Sequence, residues 1–506
     1  MIFDMIYKFD SFWSYVGNES WETIEAIKAA LTMSEYDFKA SKYNVSKFYL
    51  IHNCVLGKET IKFPSGLCEY LSKRFGLEID YKRKTYERHT KEDVIKIAEK
   101  AKQHFSNFEI RDYQIEGVLA STDKFQSLIH YGVATGKTSV MSLLVMLWEN
   151  KRILITCNQN FILQQIYDRL VSLGVCIADI SMSGEDLGRR IQIMSSQLSY
   201  NKIKRKDVEY LDYLKGVQCI IEDECQHSQS ASSFMPLFFT PSLEHHVGYS
   251  GSAYRKPDNP YGNSVDLMTI GLFGEPAAEY SMNDSIGEKK IAQPYLYSIN
   301  YKGYPISSST TTDFFIQYRR GIVYNKARNR SGIELIKYLN KNNIKTLVLF
   351  REVKRHGLPV MKMLKEDGVD ALFLQGGEQI HEYDSDLKLH TRAGTTENIK
   401  EELRNGRNII FASQVMDEGV DIDLFQAGVL FTGGKSAIKI TQQAGRISRA
   451  KKDGENIALI VDFNDTNLNP LFCRQYQERR KTLLSHGVIE LANVYKMFEL
   501  VEKMKS

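Results

Sequence analysis

Lys137 and Thr138 follow Gly136 at the head of a strongly apolar stretch, an order of residue types suited to holding the phosphates of a nucleotide. The surrounding segment, SLIHYGVATGKTSVMSLLVMLWEN (127–150), reads as an apolar strand, a glycine-containing turn and a buried helix. In such a turn the backbone N–H groups of Thr135, Gly136 and Ser139 and the helix N-terminus face the phosphates. The lysine ammonium reaches the β- and γ-phosphates, and the threonine hydroxyl ligates Mg²⁺. The loop departs from the usual GxxxxGK[ST] form, because Tyr131 stands at the first glycine position and Ala134 where a further glycine is frequent.

A phosphate site of this kind needs carboxylates at the carboxyl end of a neighbouring strand. VQCIIEDECQH (217–227) supplies them: Asp223 to hold the metal and Glu224 as general base for water attacking the γ-phosphate. An acidic turn after a buried strand is the competing reading, and Glu222 is a third acid with no assigned role. Some 300 residues beyond the phosphate loop, ITQQAGRISRAKK (440–452) sets Gln442, Arg446 and Arg449 as QxxGRxxR. The spacing predicts both arginines on one helix face, aimed at a γ-phosphate as arginine fingers. A solvated basic face is the alternative. The second half of the chain has no GKT, so one ATP is expected between the two halves.

The elements that must position these residues follow from the apolar pattern. SLIHYGV, RILITC, RIQIMSS, VQCIIEDE and HHVGYSGS in residues 125–255, then KTLVLF, DALFLQG, NIIFASQ, AGVLFTG and NIALIVDF from 345 onward, alternate with helical stretches. That rhythm predicts an α/β chain with two parallel sheets in tandem. Residues 1–104 read as a small aromatic-rich α+β domain ending in a charged, solvated helical connector (82–102). Residues 105–294 and 295–466 are the two α/β domains, with a linker at 287–294, and 467–506 a helical extension.

The chain has 506 residues, 43% hydrophobic and 25% charged, which excludes a disordered or fibrous protein. A net charge of +4 neither demands nor excludes a nucleic-acid partner. Seven scattered cysteines without a CxxC pair argue against a zinc module or disulfide framework. No apolar run is long enough for a bilayer and the N-terminus lacks a signal-peptide pattern, so a cytoplasmic protein without membrane contact is expected.

Taken in order, the motifs resemble those of superfamily 2 helicases, in which the same domains are RecA-like. Arg111-Asp112-Tyr113-Gln114 resembles the Q motif, in which the glutamine reads adenine. Lys137 and Thr138 match motif I, Asp223-Glu224-Cys225 motif II and Ser250-Gly251-Ser252 motif III. Phe350-Arg351 lies in a motif IV-like strand end, Gly419 and Asp421 match motif V, and Gln442, Arg446 and Arg449 match motif VI. Within the superfamily the likeness is to the phage UvsW-type DNA helicases, through DEC at motif II, SGS at motif III with FGE downstream (273–275), and a small N-terminal domain. The resemblance implies an ATP- and Mg²⁺-dependent monomeric motor on branched or forked DNA, working beside other replication or recombination proteins.

Three features depart from the pattern: Gln226 with His227 one place late, TCNQN (156–160) in the motif Ia region, and an inserted stretch at 377–394, read as an exposed loop or a duplex-separating element. Ser195 and Gln197, and Arg351, Lys354 and Arg355, are candidate DNA-backbone grips. The aromatics of the N-terminal domain are candidates for stacking, with a core role as the competing reading. A translocase that does not unwind, a binding protein with weakened ATPase, and RNA as substrate stay open.

Overall fold

Strands buried on both faces of a parallel sheet are near-continuous apolar runs, and all ten runs named above fold as strands. The computed structural model describes residues 5–9, 11–19, 21–37, 42–55, 58–82, 86–132, 135–228, 230–255, 259–302, 313–376, 379–413, 424–434, 437–449 and 456–505. The chain divides into two units, one of Met1–Gly132 with Gly136–Tyr280 and one of Ser281–Ser506 that also takes in Thr135. Among the described residues no helix is long and apolar enough to cross a membrane.

The first unit holds a seven-stranded, all-parallel sheet in the order Ile180–Met182, Ile191–Ser195, Ile153–Cys157, Cys219–Asp223, His245–Ser250, Gln126–Tyr131, Pro276–Tyr280. Because every strand runs the same way, the carboxyl ends of all seven lie along one edge. The strand His245–Ser250 separates Cys219–Asp223 from Gln126–Tyr131, so Asp223 and the phosphate loop stand two strand spacings apart, roughly 10 Å.

An N-terminal sheet of five strands, mostly antiparallel, packs on this domain. Its core residues Ile24, Phe63 and Leu71 share one apolar cluster with Leu267 and Ile270 of the helix Ser264–Phe273. Gly66 makes the close approach there: a Cβ at that position would lie 1.9 Å from the Ile270 carbonyl oxygen. Among the N-terminal aromatics Phe12 and Phe48 are core, whereas Trp21 and Tyr43 are 52% and 68% exposed; Phe38 lies outside the described residues.

The charged connector is not simply solvated. Its helix, Lys91–His104, opens with a Thr90–Asp93 capping box and buries Val94, Ala98 and Ala101 in the core of the first α/β domain. One small-residue stripe suffices to dock a helix whose other faces are charged.

The second unit carries a nine-stranded sheet in the order Leu389–Ala393, Gln379–Tyr383, Ala371–Gln375, Ile409–Ser413, Thr346–Phe350, Ala427–Leu430, Ile457–Phe463, Gln293–Ile299, Ile489–Glu490. The first two strands form an antiparallel hairpin on the sheet edge. The insertion read as an exposed loop or a duplex-separating element is thus an ordered hairpin extending the sheet rather than a loop, and its polar alternation (QIHEY, LHTRA) hides its strand character.

Beneath the apolar faces of this second domain lies a buried ionic cluster. Arg479, in the helix Pro470–Ser485, donates to Asp462 at 2.7 Å and 3.3 Å and to Asp465 at 3.1 Å. Arg328 donates to Asp465 at 3.0 Å and lies 3.9 Å from the Phe463 ring centroid, and Tyr301 donates its hydroxyl to Asp465 at 2.7 Å. Arg479 also donates to the Gly434 carbonyl at 2.8 Å, tying its helix to the turn after the strand Ala427–Leu430.

Candidate nucleotide site

Gly136 takes the left-handed conformation, φ +83°, that turns the chain from loop to helix Lys137–Leu147. Residues Ser139 to Val145 of that helix are buried, which anchors its N-terminus at the sheet edge. The Ser139 N–H, expected to face the phosphates, instead donates to the Gly136 carbonyl at 2.9 Å and closes the first helical turn, so only the N–H groups at the very start of the helix are of the kind that lacks an intrahelical partner. The Lys137 ammonium donates to the carbonyls of Tyr131 and Gly132 at 3.2 Å and 3.3 Å, folded along the loop it belongs to.

Tyr131 occupies the first-glycine position without obstructing the loop. Its ring is buried, its hydroxyl donates to the Tyr113 carbonyl, and it packs against Gly117, so the side chain faces the core. Ala134 lies outside the described residues.

Gln114 is buried beside the loop. Its side-chain oxygen accepts from the Arg111 N–H at 3.1 Å, and its amide nitrogen lies so near Gly136 that a Cβ there would come within 2.5 Å. Arg111 donates to the Tyr113 hydroxyl at 3.0 Å, and the Tyr113 ring stacks on Tyr280 with centroids 3.6 Å apart. Thr135 is buried and Thr138 half-buried. Ser139 accepts two hydrogen bonds from Arg169, at 2.9 Å and 3.3 Å, whose guanidinium lies over Phe105 and Phe108. Arg169 carries no motif signature, since its partner is 30 positions away.

The three consecutive acids have three environments. Glu222 is buried between Ser228, which donates to it at 2.6 Å, and His246 Nε2 at 2.8 Å, whose Nδ1 meets the Leu272 carbonyl at 3.1 Å. It is a structural acid within the sheet. Asp223 ends its strand and accepts from the Glu224 N–H at 2.9 Å. Glu224 adopts φ +51°, uncommon for a residue with a side chain, where the strand breaks into a short turn at Cys225–His227.

The turn builds a relay. Gln226 donates its amide to Glu224 at 2.5 Å and accepts from the Ser250 hydroxyl at 2.6 Å, and Ser250 in turn accepts from the Ser252 N–H at 3.0 Å. Gln226 thus joins the acidic strand end to the SGS turn, while His227 offers its carbonyl to Asn158 of the TCNQN stretch at 3.3 Å. Replacing Gln226 by Leu removes a hydrogen bond to a charged group, about 1.5–3 kcal/mol. Nucleic-acid-stimulated ATP turnover of the folded fraction is expected to fall about 10- to 100-fold in that variant, alongside a lowered thermal midpoint from the lost buried bonds.

Burial, reinforced by the Glu224 carboxylate and opposed by Lys137, raises the Asp223 carboxyl to about 7. Its folded pKa lies above its unfolded value, so the folded state binds the extra proton and stability falls as pH rises toward about 7, levelling off above it. His245 and His356, which burial lowers to about 4 and 3, act in the opposite sense, because their unfolded imidazoles bind protons below about pH 6.5 that the folded ones do not. The thermal midpoint of the nucleotide-free protein relative to that of Asp223→Asn is expected to fall as pH rises from about 4 to about 7 and then to level off. In the same interval the Mg²⁺ concentration for half-maximal ATP turnover should decrease, because the proton competes with the cation.

Oxygen donors from Thr138 and Asp223 beside a lysine and a helix N-terminus fit a Mg²⁺-bound triphosphate. The arginine-rich segment lies in the second unit. Arg446 is on the helix Ala437–Ile447, but that helix ends two residues before Arg449. The two arginines do not share a helix face: the Ser448 N–H and hydroxyl both donate to Ala444, closing the helix, and Arg449 is placed by the turn beyond it. Burial draws the Arg449 guanidinium down to about 10, and a poorly solvated cation interacts strongly with an anion. Gly419, Asp421 and the Gln442 side chain lie outside the described residues.

Ser195 caps the helix Ser196–Lys204 by accepting from the Leu198 N–H at 3.2 Å, and Gln197 pairs with Asn201 at 3.0 Å. Arg351, Lys354 and Arg355 are exposed just past the strand Thr346–Phe350. Six described cysteines are free, four of them buried.

Residues 330–451 match the helicase conserved C-terminal domain. "Putative helicase 22" of Sulfolobus islandicus filamentous virus is 23% identical over 377 residues, 69% of this chain, and the match spans 63% of the viral protein's length. S. cerevisiae Dbp5 bound to RNA and ADP BeF3 has a TM-score of 0.54 at 12% identity, covering 82% of this chain and 97% of its own. MrfA, a DUF1998 helicase bound to DNA and AMPPNP, has a TM-score of 0.53 at 15% identity, covering 83% and 57%. T4 UvsW covers 96% of this chain and 98% of its own at 17% identity, with a TM-score of 0.39 that carries no weight for the UvsW-type likeness. Residues 330–451 thus match a helicase conserved C-terminal domain, within a tandem RecA-like α/β fold similar to that of these structures.

Proposed function

We propose that this protein is an ATP-driven nucleic-acid motor, a superfamily 2 helicase that remodels branched or forked DNA. The observation that carries the reading is the Glu224–Gln226–Ser250 relay beside the Lys137 loop, a water-activating acid wired to the next strand end. Bound Mg²⁺·ATP supplies the phosphoryl group and neutralises its charge. Lys137 and the helix N-terminus hold the phosphates, Thr138 and Asp223 hold the cation, Glu224 takes a proton from water, and Gln114 with Arg111 receives the base. Gly419, Asp421 and Gln442 act on the nucleotide from the second domain, where Arg446 and Arg449 neutralise the γ-phosphate. The domain division at 104, 294 and 466 belongs to the same reading.

Closure on ATP and release after hydrolysis make steps if each domain grips the backbone, Ser195 and Gln197 on one side and Arg351, Lys354 and Arg355 on the other. DNA is supported by the motif likeness to UvsW-type helicases and by the DNA-bound structure of MrfA. RNA is the second reading, supported by the RNA-bound structure of Dbp5. The test is ATP turnover and strand separation on forked DNA, Holliday junctions, plain duplex and the corresponding RNA. Preference for branched DNA is expected; stronger stimulation by RNA, or no stimulation at all, overturns the reading.

A further inference from the structure

The second domain carries a basic-aromatic patch with an unusual backbone. Two wide helical turns, Arg319–Val323 and Val353–Gly357, close through hydrogen bonds from Tyr324 N–H to the Arg319 carbonyl at 2.8 Å and from Gly357 N–H to the Glu352 carbonyl at 3.0 Å. Such π-type turns are rare and are frequent at functional sites. The two are linked side by side, Arg319 donating to Glu352 at 3.1 Å, and the second is held by buried His356, whose Nε2 meets Asn329 at 2.9 Å. The patch lies just beyond the carboxyl end of the strand Thr346–Phe350, the end at which parallel sheets bind ligands.

Residues 313–324 and 351–357 contain five cations, Arg319, Arg320, Arg351, Lys354 and Arg355, against two carboxylates, Glu352 and Asp313, the latter accepting from the Phe315 N–H at 2.7 Å as the helix cap. The Arg351 guanidinium sits 5.1–5.4 Å from the ring centroids of Phe314, Phe315 and Tyr318. Phe315 is nevertheless 43% exposed and its neighbour Ile316 41% exposed. An apolar ring held open to solvent among cations suits a partner that is flat, unsaturated and polyanionic.

We propose that this patch stacks one unpaired base of a single-stranded nucleic acid on Phe315, with the surrounding cations on the flanking phosphates. The inference rests on the nucleic-acid reading above and adds base stacking to what is otherwise a backbone grip. Stacking on an aromatic side chain tolerates any base, so the ring holds a displaced strand without reading sequence. The rings hold the Arg351 plane in place and leave its N–H edge to a phosphate.

The test uses single strands of DNA and of RNA carrying one 2-aminopurine at successive positions. Wild type is expected to change the fluorescence at a single position. Phe315→Ala should abolish that change and weaken binding about tenfold, while Phe315→Tyr, which keeps the ring, retains both. Lys354→Gln with Arg355→Gln should instead lower the salt slope of binding, by about 0.7 for each phosphate no longer neutralised. Wild-type fluorescence and affinity in Phe315→Ala, or equal loss in both Phe315 variants, overturns the stacking site. Absence of nucleic-acid-stimulated ATP turnover in the wild type would instead refute the motor reading itself.

Discussion

Glu224→Gln is expected to cut nucleic-acid-stimulated ATP turnover by about 10²–10⁴-fold while leaving nucleotide binding within a few-fold of wild type. The substitution keeps the shape and removes the proton acceptor. Glu222, two positions earlier, is the internal control: its carboxylate is consumed by His246 and Ser228 inside the sheet. Glu222→Gln should therefore lower stability and leave the turnover of the folded fraction near wild type. Equal losses of turnover in both variants would mean that the two acids are not divided between structure and chemistry. Steady-state turnover with a fluorescent-nucleotide titration separates the outcomes.

Arg479→Ala is expected to destabilise the second domain by about 3–5 kcal/mol, because it strips a buried partner from two carboxylates. Asp462 and Asp465 are each 1% exposed, and Asp462 accepts from Arg479 and from the Phe463 N–H at the strand end. A domain of this size should lose roughly 10 °C of its thermal midpoint. Arg479→Lys should recover only part of the loss, since an ammonium cannot span both carboxylates and the Gly434 carbonyl as the planar fork does. Calorimetry of the full chain decides it, and a midpoint unchanged in Arg479→Ala would show that the cluster does not hold the domain together.

The parallel strands were legible because each is a buried apolar run: CIIED, TLVLF and IALIVDF are read correctly from composition alone. The hairpin Gln379–Tyr383 and Leu389–Ala393 was not, because an edge extension exposed along one strand has no apolar signature. Glu222 lacked a role in the sequence because its partner His246 is 24 positions away on the next strand. Gln226 was visible as a departure from the motif, but its two-sided bond to Glu224 and Ser250 depends on the left-handed turn at Glu224, which no local pattern announces. Arg479 lies in a basic stretch, RQYQERRK (474–481), whose composition gives no sign of burial, and only the fold turns it inward. Long-range polar pairing is therefore what the sequence hides, whereas apolar periodicity and ordered motifs are what it displays.

The arginines near the end of the segment that matches the helicase C-terminal domain give the most direct measurement of the central claim, that one ATP is gripped by the first domain and sensed by the second. Arg446→Ala and Arg449→Ala are each to be assayed for nucleotide affinity and for stimulated turnover. Turnover is expected to fall about 10³–10⁵-fold in at least one of them, with ATP affinity held within a few-fold by Lys137 and its loop. Turnover that survives loss of both guanidiniums would contradict the claim.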